Sequence, residues 1–578
     1  MSSAPQHPVD DAGRPWWHDA VIYQVYPRSF ADANGDGMGD LAGVTAHLDH
    51  LAALGVDAIW LSPFYTSPQS DCGYDVADYL DVDPMFGTLA DLDDLVAQAH
   101  GRGLRVVVDI VPNHSSSAHR LFQAALTAGP GSPERAMYVF RDGRGERGEL
   151  PPNAWPGGDD GSAWTRVREA DGAWGQWYLH IFGIDQPDWD WTNPAVADMF
   201  DDVLRFWLDR GVDGFRIDVA HGMAKEDGLP DRAIEPWEGW VIPTVDPATR
   251  PPMWDQDAVH DIHRRWRRVV DEHTAAQRAR RTADDPAYDD RILVAEAWLE
   301  PERLQLYLRP DELHQAFNPD LLVTPWRADD LVAAITTSLE TCAAVGAMPT
   351  WVLSNHDIVR HATRLGYAAD RPLGGGIGPR DEQPDRELGQ RRGRAASLLM
   401  MALPGGVYLY EGEELGLPEV TDLPDEARLD YVFLESGGAQ VGRDGCRVPI
   451  PWRADAPAFG FSPTGRSWLP QPEWFREFAA DVQELDPDST LWLYRRALRL
   501  RRDLDLGGPA SSVEARDGLV VVTRPASCVV ANTTGESVEV AVPAGLAPVL
   551  VSLGDAGGVP RVGEDRWAVP GDVTVWFG

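Results

Sequence analysis

The chain is almost without lysine: of its 51 basic side chains only Lys225 is not an arginine. Those 51 stand against 91 acidic residues, giving a net charge of -40, and a polyanion of that size repels phosphate backbones and anionic lipid headgroups. Nucleic acid and membrane surfaces are thereby poor partners. Cysteine is scarce as well. Cys72, Cys342, Cys446 and Cys528 lie far apart with no C-x-x-C pair, which argues against a zinc ribbon or a disulfide framework and suits a reducing compartment. No apolar run reaches membrane-spanning length, because the strongest, "ASLLMMALPGGVYLY", is broken by Pro404-Gly405-Gly406. The start, "MSSAPQHPVDDAGRPWWHDA", has no apolar segment of the secretory kind, so a cytoplasmic location is expected.

What the chain does have is length and a regular rhythm. At 578 residues, 43% of them hydrophobic, it exceeds the size at which one core stops growing, which points to one large domain with appended modules. Short apolar runs recur: "AVIYQVY", "VDAIWLSP", "LRVVVDIV", "VDGFRIDV", "RILVAEAW", "PTWVLSNHD" and "GGVYLYEGEE". Amphipathic stretches such as "LAGVTAHLDHLAALG" and "LADLDDLVAQAHGRG" alternate with them. This is the pattern of an α/β protein with a parallel sheet covered by helices. Seven clear strands and a weaker one at "HQAFNP" approach eight, which favours a closed (β/α)8 TIM barrel over the open doubly wound sheet that periodicity alone leaves available. The gap of about a hundred residues between "VVVDIV" and "GFRID" exceeds what one crossover helix needs. A small inserted lobe is expected over 115–185, where Gly, Pro, Asp and Trp are frequent. A second excursion runs from about 412 to 475. From 507 onward only short strands remain, among them "GLVVVT", "SCVVANTT", "VEVAVP" and "DVTVWFG", the pattern of a C-terminal all-β sandwich. The expected division is a barrel of 1–114 and 186–506, a lobe of 115–185 and a sandwich of 507–578.

"GFRIDVAH", residues 214–221, places Arg216 and Asp218 on one face of a buried strand. In a (β/α)8 barrel the active site lies at the C-terminal ends of the strands, and polar residues gather there. Asp109, Asn113 and His114 close the third strand, Arg216 and Asp218 the fourth, and Glu296 the fifth, while His356 and Asp357 follow the seventh. One strand-end acid is as readily a structural ion pair as a catalyst; four strands delivering carboxylates to one rim are not explained that way. Converging carboxylates with an arginine and two histidines suit an uncharged polar substrate and an oxocarbenium-like transition state, and sugars fit. Arg216 is expected to keep Asp218 ionised, as a nucleophile requires. Glu296, flanked by Ala295, Ala297 and Trp298, is expected to be raised toward a general acid by desolvation.

The ordered set "DIVPNH", "GFRIDV", "EAW" and "SNHD", with "QPDWDW" at 186–191, resembles the characteristic regions of the α-amylase superfamily, glycoside hydrolase family 13, over roughly residues 16 to 505. The resemblance implies that Asp218 is the nucleophile, Glu296 the acid/base and Asp357 a third carboxylate that grips the sugar's hydroxyls. It makes His114, Arg216 and His356 sugar ligands next to the scissile bond. Retention of anomeric configuration follows from it, with the two catalytic carboxyls about 5 Å apart. "WWHDAVIYQVYPRSFADANGDGMGDL" and "DCGYDVADY" are similar to α-glucosidases of the oligo-1,6-glucosidase type, which implies that Asp71 hydrogen-bonds a terminal glucose and Tyr74 stacks on it. "RDGCRVPIPW" resembles the stretch that contributes a further binding arginine, Arg447, although it departs from the usual R-T-P-M-Q-W. His221 and Gly222 stand where endo-acting amylases carry lysine and then histidine, so exo action is expected. Val219-Ala220 after the nucleophile is a mixed linkage signature; maltose-type α-1,4 substrates are favoured, with sucrose also open. The alternatives are an α-1,6-preferring glucosidase, or a trehalose synthase or sucrose-converting transferase on the same scaffold. The expected partner is a small oligosaccharide, and the expected state is a monomer or homodimer. Trp189 and Trp191, two of 23 tryptophans, are expected to pack rather than bind.

"DANGDGMGD" presents Asp32, Asn34, Asp36, the Met38 carbonyl and Asp40 at alternating positions around Gly37, the oxygen spacing of a calcium loop. Gly43 falls where an EF-hand carries its bidentate glutamate, so a sensor loop is not expected, and a tight Gly/Asp turn accounts equally well for the pattern. The family resemblance implies a structural Ca2+ here, with no part in bond cleavage.

Overall fold

β-Branched and aromatic residues make eight short segments into strands buried on both faces. They are β1 (Val21–Val25), β2 (Ala58–Leu61), β3 (Arg105–Ile110), β4 (Gly214–Ile217), β5 (Ile292–Ala295), β6 (Gln315–Ala316), β7 (Thr350–Val352) and β8 (Gly406–Tyr410). This is a computed structural model, and it describes residues 14–157, 161–232, 234, 241–280, 290–368 and 375–578. The first thirteen residues, on which the reading of the chain's start partly rests, lie outside the described residues. Strands β1 to β6 pair in parallel in sequence order, β7 pairs with β8, and β8 pairs with β1. The remaining seam, β6 to β7, is closed by a parallel bridge between Phe317 and Thr350 and by the Thr350 hydroxyl donating to the Ala316 carbonyl. The sheet is therefore a closed (β/α)8 barrel, and the weak run "HQAFNP" supplies its two-residue sixth strand.

Register fixes what points inward. Ile22 lies opposite Ala58, Val107 opposite Trp60, and Arg216 opposite both Asp109 and Val294. Ile22, Ala58, Trp60, Val107, Val294 and Tyr408 share one apolar cluster inside the barrel. The period of two then carries Asp109, Arg216, Asp218 and Glu296 to the same interior face, one or two steps nearer the C-terminal rim.

Helices cover the outside. Leu89–Gly101 begins with a capping box in which Thr88 and Asp91 satisfy each other's backbone N–H. "LAGVTAHLDHLAALG" reads as one helix, but the structure divides it into Leu41–Ala46 and Leu48–Leu54. The break is at His47, whose ring Nδ1 lies 2.8 Å from the Gly43 carbonyl. Gly43 itself packs so closely on the preceding loop that a Cβ there would lie 2.0 Å from the Ala31 oxygen, which ties the first turn to that loop.

Between β3 and β4 the strands Phe140–Arg141, Trp164–Arg168 and Trp174–Leu179 form an antiparallel sheet. Trp189 is buried and stacks on Tyr138 at 4.2 Å, and Trp191 stacks on Phe200 at 5.1 Å, so both tryptophans pack. The C-terminal strands are β9 (Ser512–Arg516), β10 (Leu519–Thr523), β11 (Cys528–Asn532), β12 (Val538–Ala541), β13 (Pro548–Val551), β14 (Arg561–Gly563), β15 (Arg566–Val569) and β16 (Val573–Phe577). They form a five-stranded antiparallel sheet, β9-β10-β11-β16-β13, and a three-stranded one, β12-β15-β14. Val530, Val540, Val569 and Val575 lie in the apolar layer between the two sheets. Trp576 Nε1 and the Thr574 hydroxyl donate to carbonyls of helix Arg386–Met401, which docks the sandwich on the barrel. Among the described residues no helix is long and apolar enough to cross a membrane.

The single bridge at the β6/β7 seam makes Thr350 a test of closure. Thr350→Val keeps the shape but leaves the Ala316 carbonyl without its hydroxyl donor, and should lower stability by about 1–2 kcal/mol. Urea unfolding checks this, and an unchanged midpoint would show that the hydroxyl contributes nothing to the seam.

Candidate active site

β4 approaches β5 unusually closely, since a Cβ on Gly214 would lie 2.6 Å from the Ile292 carbonyl oxygen. Two residues on, the Arg216 guanidinium occupies the barrel mouth. Its Nη1 donates to Asp109 Oδ1 at 3.0 Å and to Asp218 Oδ1 at 2.7 Å, and its Nη2 lies 3.8 Å from Glu296 Oε2. Its flat face lies 5.1 Å from the ring of Trp60. One cation thus gathers carboxylates from the ends of β3, β4 and β5.

The chain turns sharply after Asp218. Val219 has φ 45°, a conformation costly for a β-branched residue, and this turns its N–H onto Glu296 Oε2 at 2.7 Å. Glu296 is therefore not left in the apolar surroundings that its neighbours Ala295 and Ala297 suggest: one oxygen accepts a backbone N–H and faces a guanidinium. Asp218 also departs from expectation. Burial pushes its carboxyl well up; Arg216 opposes this, while Glu296, Asp109 and Asp357 add to the rise. The arginine does not settle the ionisation of Asp218 alone, because it is shared. Asp109 is likewise pushed up to about 6 by burial against Arg216.

A second cluster adjoins the first. Asp357, after β7, receives Arg443 Nη1 at 2.8 Å and Arg447 Nη2 at 3.1 Å, and its Oδ2 lies 3.2 Å from His356 Nε2. Burial pushes the His356 ring down to about 3, so it is neutral. Burial of Asp357 is outweighed by the neighbouring His356 ring together with Arg443, Arg447 and Arg216, which hold its carboxyl well below the usual range. Arg447 also donates from Nε to the His356 carbonyl and is 1% exposed, so it lies behind Asp357. Arg443, four residues earlier, reaches further: Nη2 donates to Asp71 at 2.9 Å, and Nε and Nη2 hold Asp430. The sequence gives Arg443 no emphasis beyond its place in the same "RDGCR" stretch, and its role comes from the fold bringing residues 71, 357 and 430 together. Asp71 is pushed up to about 6 by burial, against both arginines.

Tyr74 joins the two clusters. Its hydroxyl donates to Asp109 at 3.1 Å, and its ring stacks on His356 at 5.2 Å with 2° between the planes. His114 completes this wall, with Nε2 3.2 Å from the Tyr74 carbonyl. Asp71, Tyr74, His114, Arg216, Asp218, Glu296, His356, Asp357 and Arg447 are thus linked directly or through one neighbour. Arg216, Glu296, Asp357, Trp298 and Phe317 line one cavity at the mouth.

The "DANGDGMGD" loop lies elsewhere, against residues 461–468: Asp32 N–H donates to the Phe461 carbonyl and Trp468 N–H to the Gly37 carbonyl. Asp32 accepts from the N–H groups of Gly35 and Gly37, and Asp40 from those of Ala33, Asn34 and Gly43. Asn34 and Asp36 accept from Asp36 and Met38 N–H. A carboxylate offers about four lone-pair sites, so Asp32 and Asp40 each keep acceptor capacity, and the donor set remains all-oxygen as Ca2+ requires. Among the described residues the cluster whose metal-ligand atoms converge, within 4.8 Å, is His260, His263 and Glu312. Arg264 at 2.9 Å and Arg309 at 2.5 Å already neutralise that glutamate, which disfavours a cation there.

Residues 24–506 match the α-amylase catalytic domain. A probable α-glucosidase of Rhizobium meliloti is 38% identical over 505 residues, covering 85% of this chain and 83% of that protein. Oligo-1,6-glucosidase IMA5 of Saccharomyces cerevisiae is 32% identical, covering 84% of each. Among solved structures, the α-glucosyl transfer enzyme XgtA superposes with a TM-score of 0.80 at 33% identity over 98% of this chain and 99% of that one. The trehalulose synthase MutB superposes at 0.78 and 27% identity over 98% and 100%. Carboxylates brought by successive strands to one barrel rim, in a chain matched over most of its length, place the protein in the α-amylase family of glycoside hydrolases, family 13.

Proposed function

We propose that the protein is an exo-acting, retaining α-glucosidase that removes a terminal glucose from maltose-type oligosaccharides. The observation that carries this reading is the single guanidinium of Arg216, which lies 2.7 Å from Asp218 and 3.8 Å from Glu296, beside a cavity that Glu296 and Asp357 line. Asp218 has the closer contact with Arg216 and is the attacking group; Glu296 donates a proton to the departing oxygen. A covalent bond forms between Asp218 and the anomeric carbon as the glucosidic bond breaks. Glu296, now a carboxylate, takes a proton from water, which displaces Asp218 and frees glucose with its configuration retained. Asp357, held ionised by Arg443 and Arg447, grips the sugar's hydroxyls. The Asp71–Arg443–Asp357 chain of ion pairs supports exo action, since it packs charged side chains against Asp357, which lines the cavity.

Relatives bearing maltase and oligo-1,6-glucosidase names support α-glucosidase action without choosing the linkage. The likeness to XgtA and MutB supports transfer to a sugar acceptor as the second reading, because transfer and hydrolysis share the first step. The free, buried cysteines suit a cytoplasmic setting. The Asp32–Asp40 loop holds a structural Ca2+ through Asp32, Asn34, Asp36, Asp40 and the Met38 carbonyl.

The expected outcomes concern catalysis and its product, then pH, then metal. Glu296→Gln should lower kcat on maltose by about 10²–10⁴-fold, with a smaller loss on p-nitrophenyl α-glucoside, whose leaving group needs less protonation. Chromatography of maltose digests should yield α-glucose as the main product, and accumulation of an isomeric disaccharide instead would overturn hydrolysis as the main reaction. A second outcome concerns pH. The attacking carboxylate works only when ionised and burial raises its pKa, so activity is lost as pH falls through the raised value. The acid limb of kcat/KM should lie above the ordinary carboxylate range, near 4. Arg216→Gln removes the group that opposes the rise and should move that limb up by about 1–3 units; a downward move would contradict the assignment. Finally, EDTA should lower the unfolding temperature and Ca2+ restore it, with Asp40→Asn abolishing the response.

A further inference from the structure

The one ammonium group in a chain of arginines lies beside the candidate site. Lys225 Nζ is 2.7 Å from Asn113 Oδ1, 2.6 Å from the Gly222 carbonyl oxygen and 2.7 Å from Asp188 Oδ2. Its side chain is 5% exposed and that of Asp188 is fully buried. Three donors therefore meet three acceptors from three segments: the end of β3, the stretch returning from the inserted sheet, and the loop after Asp218. A compact ammonium does this because its N–H bonds diverge tetrahedrally, whereas a guanidinium spreads its donors in a plane.

The ammonium only donates, so the Asn113 amide turns its oxygen toward Lys225 and its Nδ2 away. Nδ2 then lies 3.3 Å from Asp188 Oδ2 and 3.2 Å from His114 Nδ1. His114 Nδ1 is thereby an acceptor, which puts the ring proton on Nε2, 3.2 Å from the Tyr74 carbonyl and 3.2 Å from the Gln186 amide nitrogen, which donates to Asp71 instead. A reversed amide would set Nδ2 against the ammonium and Oδ1 against Asp188.

We propose that Lys225 is a positioning residue that acts through Asn113 to hold His114 as its Nε2–H tautomer and so fixes how the ring meets the sugar. This rests on the reading of His114 as a sugar ligand. Burial pushes the His114 ring down to about 4 and the Lys225 charge adds to this, so the ring is neutral and its tautomer decides where it donates. The loop has no slack: a Cβ on Gly222 would lie 2.6 Å from Val219 Cγ1 and 3.1 Å from Asn113 Oδ1. Lys225 also borders a cavity of about 310 Å³ that Trp189, Trp191 and Met223 help to line, which gives a small amine a route to the place of its ammonium.

The test is a double-mutant cycle on p-nitrophenyl α-glucoside with Lys225→Met, Lys225→Arg, His114→Ala and the doubles, each checked for an intact unfolding transition. Both single substitutions at 225 should lower kcat/KM by at least ~10-fold, chiefly through KM, and Lys225→Met should change kcat/KM less than about threefold once His114 is alanine. Methylammonium should restore part of the activity of Lys225→Met and none of Lys225→Arg, whose side chain fills the space. Should Lys225→Met fail to fold, Lys225→Arg, which keeps the charge, carries the cycle. Wild-type kinetics for Lys225→Arg, or losses at 225 and 114 that simply multiply, would overturn the positioning role while leaving His114 as a sugar ligand. Wild-type kinetics for His114→Ala would instead remove that reading of the site, and this inference with it.

Discussion

The site depends on one guanidinium. Arg216 sits where three strands open toward solvent and is the cation shared by Asp109, Asp218 and Glu296. Without it, three carboxylates within one barrel mouth would repel each other in a low-dielectric setting, and protonation or rearrangement would follow. With it, the carboxylates remain close but undercompensated. That is a useful condition for double displacement, in which two acids must hold one proton between them and exchange roles between steps. The strained turn at Val219 belongs to the same arrangement: it directs a backbone N–H at Glu296 and so fixes Glu296 relative to Asp218.

Arg443 does for the far end of the pocket what Arg216 does for the near end. It joins Asp71, Asp357 and Asp430, which come from three distant segments. The two hubs have different consequences. Asp357 has two arginines and is held ionised, while Asp218 shares one with other acids and is pushed up by burial. In the proposed mechanism, carboxylates of similar intrinsic acidity are thereby separated into a permanent anion for binding and a titrating one for reaction.

Much of this was legible in the sequence, for identifiable reasons. Period-two patterning put Arg216 and Asp218 on one face, and the apolar strands with strand-end acids gave the barrel and its reactive rim. The two-residue strand at Gln315–Ala316 was weak in sequence because its partners across the seam, Phe317 with Thr350, supply little more than a single bridge. The break at His47 was hidden because helical periodicity continues through it; only the close approach of Gly43 to Ala31 marks it. The electrostatics were least legible. Arg216 beside Asp218 reads as a pair, and the structure makes it a shared cation; Ala295 and Ala297 read as an apolar setting for Glu296, and Val219 N–H supplies a polar partner from another strand. Arg443 was invisible for the same reason, since its partners are neighbours only after folding.

Lysine usage bears on how such a site tolerates a chain biased to arginine. Elsewhere the cation is arginine, including the buried Arg216, Arg360, Arg447 and Arg501. Each of these forks between carboxylates, between backbone carbonyls or, as Arg447 does, between one of each; Arg501 spans the carbonyls of Met401, Leu403 and Gly405, and a planar fork suits all three tasks. At Lys225 the acceptors are Asn113, Asp188 and Gly222, all within 2.7 Å of a single atom. Three acceptors around one point call for a point charge with diverging donors. The exception in composition therefore falls where geometry requires it, behind the loop that follows Asp218.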